Sequence, residues 1–173
     1  MKSYINEHIL RFIACILLQI FLVSKFSIFG YAFGFIYILF LLKLPVSLSK
    51  PFLLLLAFIT GFIIDIFSNS LGLHSASCLF MMLVRPFVLS FLMPRGGYDD
   101  DTKIDIQYMG FTWFFKYSIF IIFIHHSTLF FLEIFSFQNF WVTLLKILLS
   151  SFLTLFLIFS LHFIFKDTEY KKI

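Results

Sequence analysis

The sequence predicts an all-α membrane protein, a bundle of about six transmembrane helices with both termini in the cytoplasm. Three observations lead there. Of 173 residues, 61% are hydrophobic and only 13% charged, with a mean hydropathy of +1.03. A soluble fold of that size would lack the polar surface to cover its core. The charged residues also gather between long apolar runs, and the basic ones favour alternate turns.

The first apolar run covers 8–24, with Arg11 near its start. Lys2 ahead of such a run imitates a signal peptide, but Ser24, Lys25 and Phe26 offer no small-x-small cleavage site, so it is read as a retained span. The second span is placed at 27–44. In it Gly30 and Gly34 form a small-xxx-small motif suited to close helix contact, or are simply two glycines of a membrane helix. The third and fourth spans, 51–69 and 72–93, are separated by a tight turn. The fifth and sixth, 111–135 and 140–165, begin near Trp113 and Trp141, whose rings favour the headgroup region. All these runs are apolar all round, which argues for helices over barrel strands. The whole chain reads as one membrane domain.

With the N-terminus inside, the cytoplasmic segments hold Lys2, Arg11, Lys43, Lys50, Arg95, Lys103, Lys166, Lys171 and Lys172. The outer side holds Lys25, with Lys146 a little inside the sixth span. The one sizeable loop, Pro94 to Tyr108, is cytoplasmic and carries Arg95-Gly96-Gly97-Tyr98 and then Asp99, Asp100 and Asp101, an acidic run that reads as a solvated loop. The net charge of +4 includes no tract suited to nucleic acid. The 29 Phe read as lipid-facing filling, and Cys15 and Cys78, both in apolar runs, as inert thiols.

Polar residues at bilayer depth are costly and therefore informative. Asp65 lies about 21 Å along its helix from Pro51, and His74 opens the next helix from the same side. A carboxylate fixing an imidazole across the turn would make a structural clasp, or, on a functional reading, part of a proton relay. Arg85-Pro86 interrupts the fourth span, with Arg85 facing headgroups or protein and Pro86 kinking the helix. His125 and His126 project about 100° apart and are expected not to share one site. Glu133 and Lys146 approach the outer face as a possible pair. No His-Glu-x-x-His or Gly-x-Ser-x-Gly motif is present, and no metal, cofactor or catalytic residue is expected.

One segment is more specific. Gly61-x-x-x-Asp65, a short turn, and Gly72-Leu73-His74 resemble the signature of the bacterial rod-shape-determining MreD family. The continuation, Arg85-Pro86-Phe87-Val88-Leu89 and Pro94-Arg95-x-Gly97-Tyr98, is similar to one branch of it. Outside 61–98 the resemblance rests on length and layout. It implies a compact bundle similar to the S-components of vitamin transporters. It also implies a non-enzymatic scaffold or regulator of cell elongation in the bacterial inner membrane, working with a bitopic MreC-like protein, MreB filaments, RodA and a class-B penicillin-binding protein. Gly61, Asp65, Gly72 and His74 are the positions expected to shape the outer turn, and Arg85 and Arg95 the cytoplasmic side. The alternative is an S-component-like uptake subunit for a small molecule. Against it, Ala14, Ala32, Ala57 and Ala76 never form the Ala-x-x-x-Ala pattern such subunits use for docking, and the outer loops are short.

Overall fold

A computed structural model describes residues 2–23, 27–28, 30–99, 102–135 and 139–169. The expectations placed on Lys25, Asp100, Asp101, Lys171 and Lys172 lie outside the described residues, as do the side chains of Lys2 and Lys166. The elements in chain order are α1 (Lys2–Phe21), β1 (Ser27–Ile28), β2 (Ala32–Phe33), α2 (Ile38–Leu42), α3 (Lys50–Ser68), α4 (Leu73–Phe91), α5 (Ile106–Met109), α6 (Phe111–Ile134) and α7 (Phe140–Glu169).

The chain is mostly helical, and among the described residues four helices are long and apolar enough to cross a membrane: α3, α4, α6 and α7 over its stretch Phe140–Ile164. Their limits fall close to the expected third to sixth spans. α3 packs on α4, α4 on α6 and α6 on α7. Each turns most of its polar residues inward among apolar ones and leaves many large apolar side chains facing outward. In α3 the buried stripe is Leu53, Ala57, Thr60, Gly61, Ile64 and Asp65, while Leu55, Phe58, Phe62 and Ile66 are exposed. That inversion of the soluble pattern suits a bundle in lipid, where packing and a few polar contacts supply the adhesion.

The expected helix over 27–44 is corrected. That stretch holds the antiparallel pair β1–β2, with Ser27 opposite Phe33 and Ile28 opposite Ala32, then an extended run, and only then the short α2. Gly30 sits at the hairpin turn with φ +73°, a conformation that suits glycine. Gly34 is in extended chain, and a Cβ there would meet Leu157 of α7 at 2.6 Å, so its small size does serve a close contact, though not between two helices. Tyr37 and Ile38 through Leu42 are all buried. This central segment threads the bundle, with α7 against β2 and both α1 and α6 against α2. The apolar part of α1, His8–Phe21, is shorter than the four long helices.

One end of the bundle gathers the basic residues Lys43, Lys50, Arg85 and Arg95. There α5 is started by Asp105, whose Oδ1 accepts the Gln107 N–H at 3.3 Å and whose Oδ2 lies 2.5 Å from Lys43 Nζ. Burial alone would raise the Asp105 carboxyl, but the Lys43 ammonium and the Gln107 amide hold it below the usual carboxylate range. A folded-state pKa below the unfolded one gives a contribution that is complete above the ordinary carboxylate value and lost as pH falls through the folded value. Asp105→Asn is therefore expected to lower stability by about 1–3 kcal/mol at neutral pH. The difference from the parent should vanish when thermal melts are repeated in increasingly acid buffer; a deficit that persists unchanged at acid pH contradicts it.

Candidate functional site

The motif residues meet where α3 passes into α4. Asp65 is buried, 4% exposed, and its carboxylate collects four donors from the turn and the next helix. Oδ1 accepts the Ser70 hydroxyl at 2.6 Å and the His74 N–H at 2.9 Å. Oδ2 accepts the Ser75 N–H at 2.9 Å and the Ser75 hydroxyl at 2.5 Å. The carboxylate thus caps the N-terminus of α4 from a neighbouring helix, meeting both the unpaired amides and the positive end of the helix dipole. Gly72, at φ +84°, and Asn69, at φ 53°, turn the chain between them.

Gly61 explains how Asp65 reaches. It lies one turn earlier on the same face of α3. A Cβ there would stand 2.5 Å from Ser75 Cα and 2.6 Å from Ser75 N, closer than packing allows. The absent side chain lets the first turn of α4 settle directly on α3. The expected clasp therefore exists at Asp65, but the atom it holds is corrected: Asp65 binds the backbone of His74 and not its ring.

The His74 ring belongs to a second network. Its Nδ1 lies 2.9 Å from Tyr37 Oη, and His125 Nε2 lies 2.8 Å from the same oxygen. A phenol has one proton to give, so one imidazole presents N–H to Tyr37 and the other accepts from it. His126 has a complete assignment. Its Nδ1–H donates to the Ile122 carbonyl at 2.8 Å, leaving Nε2 to accept the Thr154 hydroxyl at 3.2 Å. Thr154 Oγ1 in turn accepts the Phe35 N–H at 3.1 Å. The Phe35 ring lies among all three histidines, its centroid 5.4 Å from His74, 5.9 Å from His125 and 5.2 Å from His126. As expected, His125 and His126 bond different partners, Tyr37 for one and Ile122 and Thr154 for the other, although both rings pack on Phe35. Both belong to the buried stripe of α6 that runs from Phe114 to Phe130, and the central segment is broad enough to be touched from both positions.

Beside this network, α1, the central segment, the α3–α4 turn and α6 enclose a cavity of about 280 Å³. Its lining mixes Phe33, Phe35 and Phe130 with Gln19, His74 and Glu133. Among the described residues no group of three His, Cys, Asp or Glu is placed to hold a metal ion. Nor does an ion pair join Glu133 to Lys146 among them, which corrects the pairing expected there.

At the basic end Arg85 is 2% exposed and its donors are directed at protein groups. Nε donates to Tyr117 Oη at 2.8 Å, Nη1 to the Pro45 carbonyl at 3.4 Å and Nη2 to the Leu44 carbonyl. Tyr117 passes its own proton to the Leu42 carbonyl at 3.3 Å. α4 continues through Pro86 to Phe91. Arg95 is exposed just beyond α4 and joins none of these groups. Sequence reasoning missed Gln19, Tyr37, Tyr117, Ser150 and Thr154. The available signal was a buried-type polar residue in each apolar run at the spacing of the inward stripe.

No family model, curated protein or solved structure matches this chain.

Two substitutions separate the parts of the clasp. Gly61→Leu forces α3 and α4 apart and is expected to cost at least about 1–3 kcal/mol. Asp65→Ala strands two buried amides and two hydroxyls and is expected to cost more, about 3 kcal/mol or above. Melting midpoints of the purified variants in detergent check this; an Asp65→Ala protein as stable as the parent contradicts the capping role.

Proposed function

We propose that this chain is a non-enzymatic scaffold or regulator of the bacterial cell-elongation machinery, as its resemblance to the MreD family implies. It would sit in the inner membrane with both termini in the cytoplasm. It would organise an MreC-like bitopic protein and, with it, MreB filaments, RodA and a class-B penicillin-binding protein.

The observation that carries this reading is where the signature residues are spent. Gly61, Asp65, Gly72 and His74 form a junction that fixes α4 on α3, and Asp65 is fully occupied in doing so. Gln19, Thr154 and Arg85 are likewise engaged with the backbone of the central segment. What remains for partners is the outward apolar surface of the long helices, such as Phe58, Phe62 and Ile66 on α3. A rigid bundle with that perimeter suits a protein that acts by packing against other membrane helices.

A second reading, a subunit for uptake of a small molecule, is favoured by one feature, the 280 Å³ cavity between Gln19, His74 and Glu133. Pockets that take small ligands combine apolar walls with a few polar groups in this way.

Purification from native membranes in mild detergent, with identification of stoichiometric companions, separates the two. The scaffold reading expects an MreC-like bitopic protein, retained by the parent and reduced several-fold by Gly61→Leu and Asp65→Ala. Recovery of an energy-coupling ATPase with its membrane subunit instead would overturn it in favour of uptake.

A further inference from the structure

At the basic end of the bundle a second cavity, about 270 Å³, opens between the start of α3 and the last turns of α4. Its lining includes Lys50, Arg85, Leu53, Pro86, Leu89 and Met93, and no Asp or Glu among the described residues contributes to it. Three sources of positive potential converge there. Arg85, almost wholly buried, has neutral partners throughout: the Tyr117 hydroxyl and the Leu44 and Pro45 carbonyls. No carboxylate among the described residues pairs with it, and Asp105, the acid of the neighbouring loop, is engaged by Lys43. Lys50, exposed, is the first residue of α3, a place where the helix dipole disfavours a cation. The N-terminus of α3 has no acidic residue in its first turn and no side-chain cap from Ser49.

A buried cation is costly unless an anion accompanies it. No described residue supplies one here, yet Arg85 lines a cavity and a second cation, Lys50, lines it too. Arg85 lies seven residues before the end cap Leu92, so the site is about 10 Å along the helix from the interface, within reach of lipid headgroups. Beside Ser90 and Tyr98, the rest of the wall, with Val46, Leu48, Leu53, Leu89 and Met93, is mostly apolar, which suits an acyl chain better than a free ion. We propose that this cavity holds the phosphate of an anionic phospholipid, with Arg85 beneath it and Lys50 at its rim. Basic pockets between membrane helices recognise anionic headgroups by the same chemistry.

The test uses the full chain, purified in mild detergent and offered equal amounts of dioleoylphosphatidylglycerol and dioleoylphosphatidylcholine, with retained lipid counted by native mass spectrometry. Each cation near an anionic lipid is worth roughly a fivefold preference. The parent is expected to retain the glycerol lipid over the choline lipid by roughly tenfold or more. Lys50→Glu should cut that preference roughly fivefold or more, whereas Lys146→Glu, the same charge change at the other end of the bundle, should leave it intact. Arg85→Gln should cut it roughly fivefold and Arg85→Lys keep most of it. Because Arg85 also holds carbonyls of the central segment, the Lys50 and Lys146 variants decide the matter if the Gln variant does not fold. Equal retention of the two lipids by the parent overturns the proposal, as does equal loss in the Lys50 and Lys146 variants. Displacement of the glycerol lipid by millimolar inorganic phosphate overturns the lipid as its occupant.

Discussion

The rest of this structure depends on a stretch of backbone that runs through an apolar bundle without being a helix. Between Tyr31 and Pro45 the chain is hairpin, extended segment and one short helix, so much of its peptide groups cannot be satisfied from within. In a hydrocarbon surrounding each such group left unpaired costs several kcal/mol, and irregular backbone survives only where protein supplies the bonds. Here side chains supply them. Ser150 accepts the Phe33 N–H and donates to the Tyr31 carbonyl. Gln19 spans two residues as a neighbouring strand would, its Nε2 donating to the Gly34 carbonyl and its Oε1 accepting the Ile36 N–H. Thr154 takes the Phe35 N–H. At the other end Tyr117 and Arg85 serve the Leu42, Leu44 and Pro45 carbonyls. Gln19 of α1, Arg85 of α4, Tyr117 of α6 and Ser150 and Thr154 of α7 thus share one task.

That constraint also orders the two ends of the molecule. At one, the clasp at Asp65 fixes α4 and so places His74 against Tyr37, tying the central segment to the α3–α4 junction. At the other, Arg85 anchors the exit of the segment, and its charge, unlike its hydrogen-bonding capacity, is unmatched among the described residues. A cavity accompanies each end, one walled by phenyl rings and mixed polar groups and the other by cations and aliphatic side chains. The difference in lining argues for different occupants.

Hydropathy made the four long helices legible, because a helix that meets lipid on one side and protein on the other is apolar at nearly every position. The same property hid the central segment. Residues 27–44 are as apolar as a spanning helix, and composition does not reveal that Gln19, Ser150 and Thr154, far off in sequence, are aligned to bond an extended chain. Gly30 and Gly34, each costly in a helix, were the local warning. The clasp was legible in position, since Gly61, Asp65 and Gly72 are spaced for a tight turn, but its chemistry was not. A carboxylate beside a histidine suggests an ion pair, while the stronger demand came from the open amides at the start of α4. The 100° between His125 and His126 did predict different partners, but not that both rings would pack on Phe35, because the segment they face is several residues long.

The most direct test of this account is backbone amide exchange, resolved by residue, on the intact protein in lipid nanodiscs. If side chains hold the central segment, the amides of Phe33, Phe35 and Ile36 exchange as slowly as those within α3 and α6, although they lie outside any helix. Thr154→Val should then speed exchange at Phe35 selectively. Rapid exchange of all three amides in the unaltered protein would contradict the account, because it would mean that the segment is bonded to water and not to the bundle.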